Sequence, residues 1–384
     1  MGGVKTMREG KADMRRARCG TWCVSLLLLA THLAAGPIRA DEGDESSPGE
    51  RSVDIIPLPV IFSSPETGFA FGAAVVVITD PSSGGYRAAR PNVLQAVLFY
   101  TTEKQILGAA VWEKYLGDDR YRLVIEGLAR RYPDKFYGIG PDSRSVDEED
   151  YTFLEFSLVG TFQWRIAPGL YLGPSYLLSR NTLDKIEEGG LLDTGDIPGA
   201  EGVTSSGLGF RLNYDMRDDR FYPLTGRYAE FEGGYSNALF GGTREYFFIG
   251  LDYREYFPLF ARSVLALQYI AVVTGGEVPF QYMPKLGDLN VLRGYREGRF
   301  RDKATMIFQA EYRFPVVWRL GATVFGGFGQ VGPSLGHLPL SDVKAAGGFG
   351  IRYRISDQNR VNLRLDFAFS PQDFAMYVNF AEAF

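Results

Sequence analysis

The two side chains best placed to act on one another are an arginine and a glutamate. Arg293 sits in Val291-Leu292-Arg293-Gly294-Tyr295, inside a loop that runs from Gly276 to Asp302. Strand connections usually take about 2–6 residues, so a loop this long, charged and aromatic is more than a link. Glu311 lies on the following strand run, in Gln309-Ala310-Glu311-Tyr312-Arg313-Phe314-Pro315. A buried arginine needs a carboxylate, because an unpaired interior charge is strongly unfavourable. The flat guanidinium fork also matches a carboxylate in shape. Two readings stay open from spacing alone: Arg293 reaches Glu311, or Arg293 is a solvated loop cation and Glu311 pairs with Arg313 or other basic neighbours. Either way the chemistry is bracing by charge, not bond making.

Covalent chemistry finds little to work with. Cys19 and Cys23 are the only cysteines, and His32 and His337 the only histidines. The N-terminal segment takes all of these but His337 with it when it is removed. His337 then sits alone in a Gly- and Pro-flanked turn without an obvious partner. The chain has no His-Glu-x-x-His and no phosphate-binding Gly-Lys-Ser/Thr, and most nucleophile–base schemes cannot be written. We expect no enzyme activity, no cofactor and no metal. Tyr132–Gly140 and Asp147-Glu148-Glu149-Asp150 read as a further long loop. Its carboxylates lack the alternating ligand pattern of a calcium loop and are expected to be solvated.

The elements that would position Arg293 and Glu311 follow from the ends inward. Lys5, Arg8, Lys11, Arg15, Arg16 and Arg18 form a basic region ahead of an apolar run from Trp22 to Ala35. Ile38-Arg39-Ala40 then offers a small-residue cleavage site, so residues 1–40 are predicted to be an export signal peptide. A membrane-spanning helix would need about 20 apolar residues. Residues 41–54, rich in Ser, Gly and Glu, read as a disordered leader. Removing seven Lys/Arg and two Asp/Glu with the signal leaves 34 basic and 44 acidic side chains, a net charge of −10. Such an acidic chain is a poor nucleic-acid binder.

From residue 55 to 384 alternation recurs and helical periodicity does not. Fifteen strand runs stand out, from Glu66–Thr79 to Phe374–Phe384, and Ile56–Phe62 supplies a sixteenth. An outer-membrane barrel has an even number of strands. Leu208, Phe210, Leu212 and Tyr214 alternate with Gly209, Arg211, Asn213 and Asp215. Phe349, Ile351, Tyr353 and Ile355 alternate with Gly350, Arg352 and Arg354. Met306 to Phe314 alternate with Thr305, Ile307, Gln309, Glu311 and Arg313, and Val361 to Phe369 with Asn362, Arg364 and Asp366. A soluble sandwich turns such apolar rows inward, whereas a membrane barrel turns them to lipid. Run lengths favour the membrane, being longer than the roughly 5–6 residues of a globular strand. The 22 Tyr and 28 Phe crowd strand ends as interfacial girdles do. Met376, Val378, Phe380 and the terminal Phe384 fall on one strand face, the pattern of a closing strand with an assembly signal. A mean hydropathy of −0.10 suits a barrel, in which only alternate residues meet lipid.

With these residues in place, Leu292-Arg293-Gly294-Tyr295 followed by Glu311-Tyr312-Arg313-Phe314-Pro315 resembles the BamA/TamA superfamily, the bacterial surface antigen proteins. Tyr214-Asp215-Met216-Arg217 through Tyr222-Pro223-Leu224-Thr225-Gly226 resembles the family's turn with Asp-x-Arg, aromatic-Pro and Gly. That stretch is good turn chemistry in its own right, and Asp215, Arg217, Pro223 and Gly226 are expected to form a tight periplasmic connection. Pro65-Glu66-Thr67-Gly68 is similar to the start of the first strands in short members. Arg364-Leu365-Asp366-Phe367, with Phe380 and Phe384 as the C-terminal assembly signal, fits as well. The resemblance covers roughly residues 55–384.

It implies an all-β, transmembrane antiparallel barrel of about sixteen strands, with an extracellular loop folded into the lumen. Arg293, Gly294 and Tyr295 would form the loop tip, held by acids of the inner wall. One such acid corresponds to Glu311. The second usually stands in a Phe-x-Asp-x-Gly pattern on the next strand, which here reads Phe325-Gly326-Gly327-Phe328-Gly329, with Gly327 at the acid position. Asp366 is the candidate substitute. About fifteen residues between the cleavage site and the first strand are too few for a periplasmic POTRA domain, so a barrel-only member is expected. The resemblance further implies an integral outer-membrane location and a role in outer-membrane protein or lipid assembly or transport. Its implied partners are outer-membrane lipids, the barrel assembly machinery during biogenesis and a separate periplasmic protein. The competing expectation is a passive pore or structural barrel.

Overall fold

The computed structural model describes residues 53–79, 92–194, 196–219, 222–339, 341–356 and 361–384. The expected signal peptide lies outside them, as does all of the expected leader except Val53 and Asp54, which begin the first strand. In chain order the strands are β1 (Val53–Ser64), β2 (Gly68–Thr79), β3 (Asn92–Thr101), β4 (Ile106–Leu116), β5 (Tyr121–Phe136), β6 (Glu149–Ala167), β7 (Leu170–Ile186), β8 (Val203–Asp215) and β9 (Gly226–Ser236). There follow β10 (Tyr246–Pro258), β11 (Val264–Gly276), the short β12 (Lys285–Leu286) and β13 (Phe300–Arg301), β14 (Ala304–Val317), β15 (Leu320–Gly332), β16 (Lys344–Ser356), β17 (Val361–Phe369) and β18 (Phe374–Phe380).

Sixteen of these make one antiparallel sheet in which each strand lies beside its sequence neighbours. Strand β11 passes to β14 around the long loop, β18 returns to β1, and β9 lies beside β10 to close the ring. Strands β12 and β13 pair with each other inside the long loop. The fold is therefore a closed sixteen-stranded barrel. Its up-and-down order puts the start of β1, the β8–β9 connection and the end of β18 at one end. The long segments 137–148, 187–202, 277–303 and 333–343 lie at the other.

The alternation seen in sequence becomes two surfaces. Leu208, Phe210, Val324, Phe328, Phe349 and Ile351 are exposed on the outside, while Arg211, Asn213, Arg352 and Asp366 are buried within. A belt of exposed Leu, Ile, Val and Phe this extensive belongs against hydrocarbon. Strand rows rich in β-branched and aromatic residues suit the pleat, and the ladder supplies the backbone partners that lipid cannot.

One sector departs from the polar-lumen expectation. The inward residues of β1 to β5, among them Val60, Phe62, Ala70, Val97, Phe99, Leu107 and Leu128, form an apolar cluster. These side chains bury one another along the inner wall, so the first strands are apolar on both faces.

Two boundaries also differ from the sequence reading. The expected loop at Tyr132–Gly140 is mostly strand, because β5 runs on to Phe136 and pairs with β6 from Glu149 onward. The last strand is shorter than expected. Ala381 takes φ +57°, the chain leaves the sheet after Phe380, and Glu382, Ala383 and Phe384 turn inward and are buried. Phe384 therefore does not share an outer face with Met376. It packs with Tyr256, Val264, Ala266 and Ala383, because the left-handed bend at Ala381 redirects the chain into the lumen.

Candidate functional site

The 277–303 loop folds into the barrel and is tied at its base, middle and tip. At the base, Phe280 is fully buried, with ring centroids 5.1 Å from Phe136 and 5.6 Å from Tyr151. The Gln281 amide donates to the Gly199 carbonyl at 2.8 Å, and the Gly140 N–H to the Arg301 carbonyl, also at 2.8 Å. In the middle, β12 and β13 form a small ribbon, and Leu286, Leu292, Tyr295 and Phe300 pack against Ile270, Val272, Ile307 and Val331 of the wall. Apolar burial thus seats the loop before any charge is considered.

The tip turns on itself. The Asp288 carboxylate accepts from the backbone N–H groups of Asn290 and, at 2.9 Å, Val291. Gln309 holds both sides of the bend, accepting from the Leu292 N–H at 3.0 Å and donating to the Asn290 carbonyl at 3.0 Å. Gly294 is the residue that lets the tip approach the wall. Its φ is +116°, and a Cβ there would lie 3.2 Å from the Phe369 carbonyl carbon and oxygen. Its N–H donates to the Tyr377 hydroxyl at 3.0 Å. Gly294→Ala is expected to strain this contact by about 1–3 kcal/mol, read as a lower urea midpoint of the refolded barrel. An unchanged midpoint would mean that the tip is not held against β17.

Arg293 is directed into the wall by this bend. Its Nη2 pairs with Glu311 of β14 and its Nη1 with Asp366 of β17, all three side chains being essentially inaccessible. Its guanidinium carbon stands 3.6 Å from the Phe325 ring centroid, so charge and a π face hold the same group. Arg293 is therefore not a solvated loop cation, although Glu311 also pairs with Arg313, its other oxygen accepting from Nε at 2.8 Å.

Asp366 stands where no carboxylate is found on β15. A Cβ at Gly327 would come within 2.7 Å of the Phe308 carbonyl oxygen and 2.8 Å of Gln309 Cβ. A side chain there would collide with β14, so the second acid comes from β17 instead.

The structure adds partners that sequence spacing did not single out. Arg352 donates to Asp366 at 2.5 Å and to Glu382 at 2.7 Å, with Glu311 at 3.4 Å. Arg364 Nε lies 3.3 Å from Asp366, and its Nη2 donates to Asn290 Oδ1 at 2.9 Å. Arg313 donates to the main-chain carboxyl oxygen of Phe384 at 2.7 Å, and Asn362 to Glu382 at 2.8 Å. The inward-turned tail and the loop tip thus share one ion-pair cluster. The available hint was that Arg313, Arg352 and Arg364 all fall on the inward rows with few acids to match them.

Other expected residues fall elsewhere. Tyr295 lies in the loop's apolar cluster, and its hydroxyl donates to the Ala345 carbonyl at 3.3 Å. The Pro65–Gly68 stretch forms the β1–β2 turn, whose Glu66 carboxylate accepts from the Glu297 N–H at 2.7 Å. Arg296 donates to the Pro65 carbonyl at 3.0 Å. Asp215 and Arg217 form a forked pair, both contacts 2.9 Å, at the β8–β9 connection. Gly226 takes φ +104° there, where a Cβ would meet the Met216 carbonyl, and Pro223 is buried in the same turn. The residues of the acidic run diverge: Asp147 pairs with Arg144 at 2.8 Å, Glu148 pairs with Lys135, and Glu149 accepts from the Leu192 N–H at 3.3 Å. His337, expected to have no partner, has one. Ser334 Oγ lies 2.8 Å from its Nδ1, an exposed contact three residues apart within one turn.

The lumen holds a cavity of ≈ 250 Å³ whose lining includes Glu126, Arg211, Glu230, Glu232, Asp252 and Arg254 beside apolar side chains. Arg211 bridges Glu126 at 2.8 Å and Glu232 at 3.2 Å across it. This is a second brace, on β5, β8 and β9.

Comparison with known proteins agrees with this architecture. The Omp85 superfamily domain matches residues 91–376. No curated protein matches the chain. Among solved structures, BamA from Haemophilus ducreyi lacking POTRA domains 1–3 is similar, with a TM-score of 0.60 and 15% identity over 87% of this chain and 70% of that one. CdiB from Acinetobacter baumannii is similar with a TM-score of 0.56 and 12% identity over 86% of this chain and 65% of that one. At such identities the structural likeness is one of fold. A domain match across most of the barrel, together with that fold, shows that the chain belongs to the Omp85 superfamily.

Proposed function

We propose that this integral outer-membrane barrel assembles or transports outer-membrane proteins or lipids, with the β1–β18 seam as its working part and the Arg293 cluster as the brace that keeps the lumen closed. The observation that carries this reading is the weakness of the seam. Strands β1 and β18 pair at Ser63↔Val378 alone, whereas β1 pairs with β2 along its whole length. A barrel that served only as a wall would gain by closing every edge. The tail beyond Phe380 is anchored to Arg313 and Arg352, next to the loop tip, so the seam and the brace are mechanically adjacent.

In this reading Arg293, Gly294, Tyr295 and Glu311 form the lock and Asp366 its second acid, while the Asp215–Gly226 connection is periplasmic. Phe380 and Phe384 belong to the segment read during the chain's own assembly. The chain is exported as a precursor and cleaved after residue 40. It works with outer-membrane lipids, the assembly machinery that inserts it and a separate periplasmic protein, and it performs no catalysis.

A second reading, a passive pore, draws on the lumen cavity of ≈ 250 Å³ and the charged side chains in its lining. The two part in reconstitution. Full-length protein in liposomes of outer-membrane lipid is expected to speed the folding of an added client barrel. If client folding proceeds at the rate of empty liposomes while planar bilayers show a large steady conductance, the pore reading replaces the first.

A further inference from the structure

The free edge of β1 carries an inference about what the seam accepts. Among the described residues no strand lies beside β1 from Val53 to Val60 on the seam side. The direction of its peptide groups follows from its neighbours. The N–H of Phe69 donates to Thr102 Oγ1 at 3.0 Å, and the Phe69 carbonyl accepts from the Thr102 N–H at 2.8 Å. Phe69 therefore faces β3, and with it every odd residue of β2. The even residues of β2 face β1. Directly opposite residues in an antiparallel pair either bond to each other or both point away. The register sets Phe62 against Ala70, Val60 against Gly72, Leu58 against Ala74 and Ile56 against Val76. Even residues of β1 thus bond to β2, and odd residues turn their backbone groups to the seam.

Two of those odd residues are Pro57 and Pro59. Proline has no N–H to give, and within sheets it is tolerated where its nitrogen faces away from the ladder. Both prolines leave the β1–β2 ladder whole and remove donors from the open edge alone. On the other side of the seam, the Ala381 N–H reaches the Asn362 carbonyl at 2.8 Å. Odd residues at the end of β18 therefore face β17, and Val378 faces β1, opposite Ser63.

We infer that the free edge of β1 is closed to strand addition, and that the only strand it accepts is the last strand of its own barrel, over Ile61 to Ser63. β1 does not need β18 to stay in place. It is held by β2 along its length and by Leu58, Val60 and Phe62 packing on the inner wall. When the seam parts, it leaves an edge that is anchored yet does not template a second chain. The inference concerns the edge itself and stands apart from the cargo the barrel serves.

The test uses the full chain refolded into vesicles of outer-membrane lipid, with Ile55→Cys as the reporter on the free edge. The only native cysteines lie in the predicted signal segment, so Cys19→Ser and Cys23→Ser leave a single reactive thiol. The probe is a synthetic alternating Thr-Val peptide carrying one cysteine. With Pro57 and Pro59 present, disulfide capture of the peptide is expected to be slight. Adding Pro57→Thr and Pro59→Thr restores two ladder donors and is expected to raise capture roughly tenfold or more. Pro57→Thr alone is expected to fall between. Altered electrophoretic mobility of the unheated protein identifies the folded barrels that are compared. Efficient capture with both prolines in place, or equal capture by the folded proline and threonine chains, overturns the inference.

Discussion

Asp366→Ala is expected to destabilise the folded barrel by about 3–5 kcal/mol, the cost of leaving a buried ion pair without one partner. The reason is the charge balance of the cluster. Arg293, Arg313, Arg352 and Arg364 share Glu311, Asp366 and Glu382, so each of these carboxylates serves more than one arginine. Asp366 serves Arg293, Arg352 and Arg364 at once. Without it the same cations must share Glu311 and Glu382, and Arg364 is left with only the Asn290 side chain and the Leu289 carbonyl. Asp366→Asn keeps the shape and loses the charge, so it should fall nearly as far. Urea unfolding in detergent micelles, followed by tryptophan fluorescence, reads the effect. If Arg293→Ala proves as damaging as Asp366→Ala, the cluster is not limited by its carboxylates and this account of it fails.

Arg293→Ala is expected to act on the loop more than on the barrel. Removing this cation leaves Glu311 still paired with Arg313 and Arg352, and Asp366 with Arg352 and Arg364, so the fold should persist. The loop tip, however, loses its ties to β14 and β17 and its seat on Phe325. What remains at the tip is the Gly294 contact with Tyr377 and the bonds from Gln309. Trypsin added to intact vesicles should then cleave at Arg296 or Arg299 roughly tenfold faster or more, since about 1.4 kcal/mol of lost docking gives a tenfold rise in the open population. Planar-bilayer conductance should rise with it. Arg293→Lys should lie between, because a single ammonium cannot fork between Glu311 and Asp366. Unchanged cleavage and conductance in Arg293→Ala would show that apolar packing at Phe280 and Leu286 alone seats the loop.

These expectations differ in what they weaken because the brace is a cluster and not a pair, a distinction that only the folded chain displays. Spacing left the Arg293–Glu311 relation as one of two open readings, and the family resemblance implied it; the two lie 18 residues apart on adjoining elements. Asp366, 73 residues from Arg293, could be named only as a substitute, since its reach depends on the register of three further strands. The buried tail could not be read at all. Alternation carries Phe384 onto the outer face with Met376, and a single left-handed residue at Ala381 cancels that.

The sequence by itself determined the architecture. Side chains on a strand alternate between faces with a period of two residues, and long alternating runs with apolar rows and aromatic ends specify a lipid-facing barrel whatever the distant contacts are. It also supplies the missing donors of Pro57 and Pro59, but which way they face follows from the parity of the folded ladder. The tertiary structure decided which acids meet Arg293, why Gly327 cannot carry one, and that the tail joins the same cluster. Those outcomes depend on the space beside each Cβ and on how sixteen strands are staggered around the ring. Stagger is a property of the closed sheet, and no single strand encodes it.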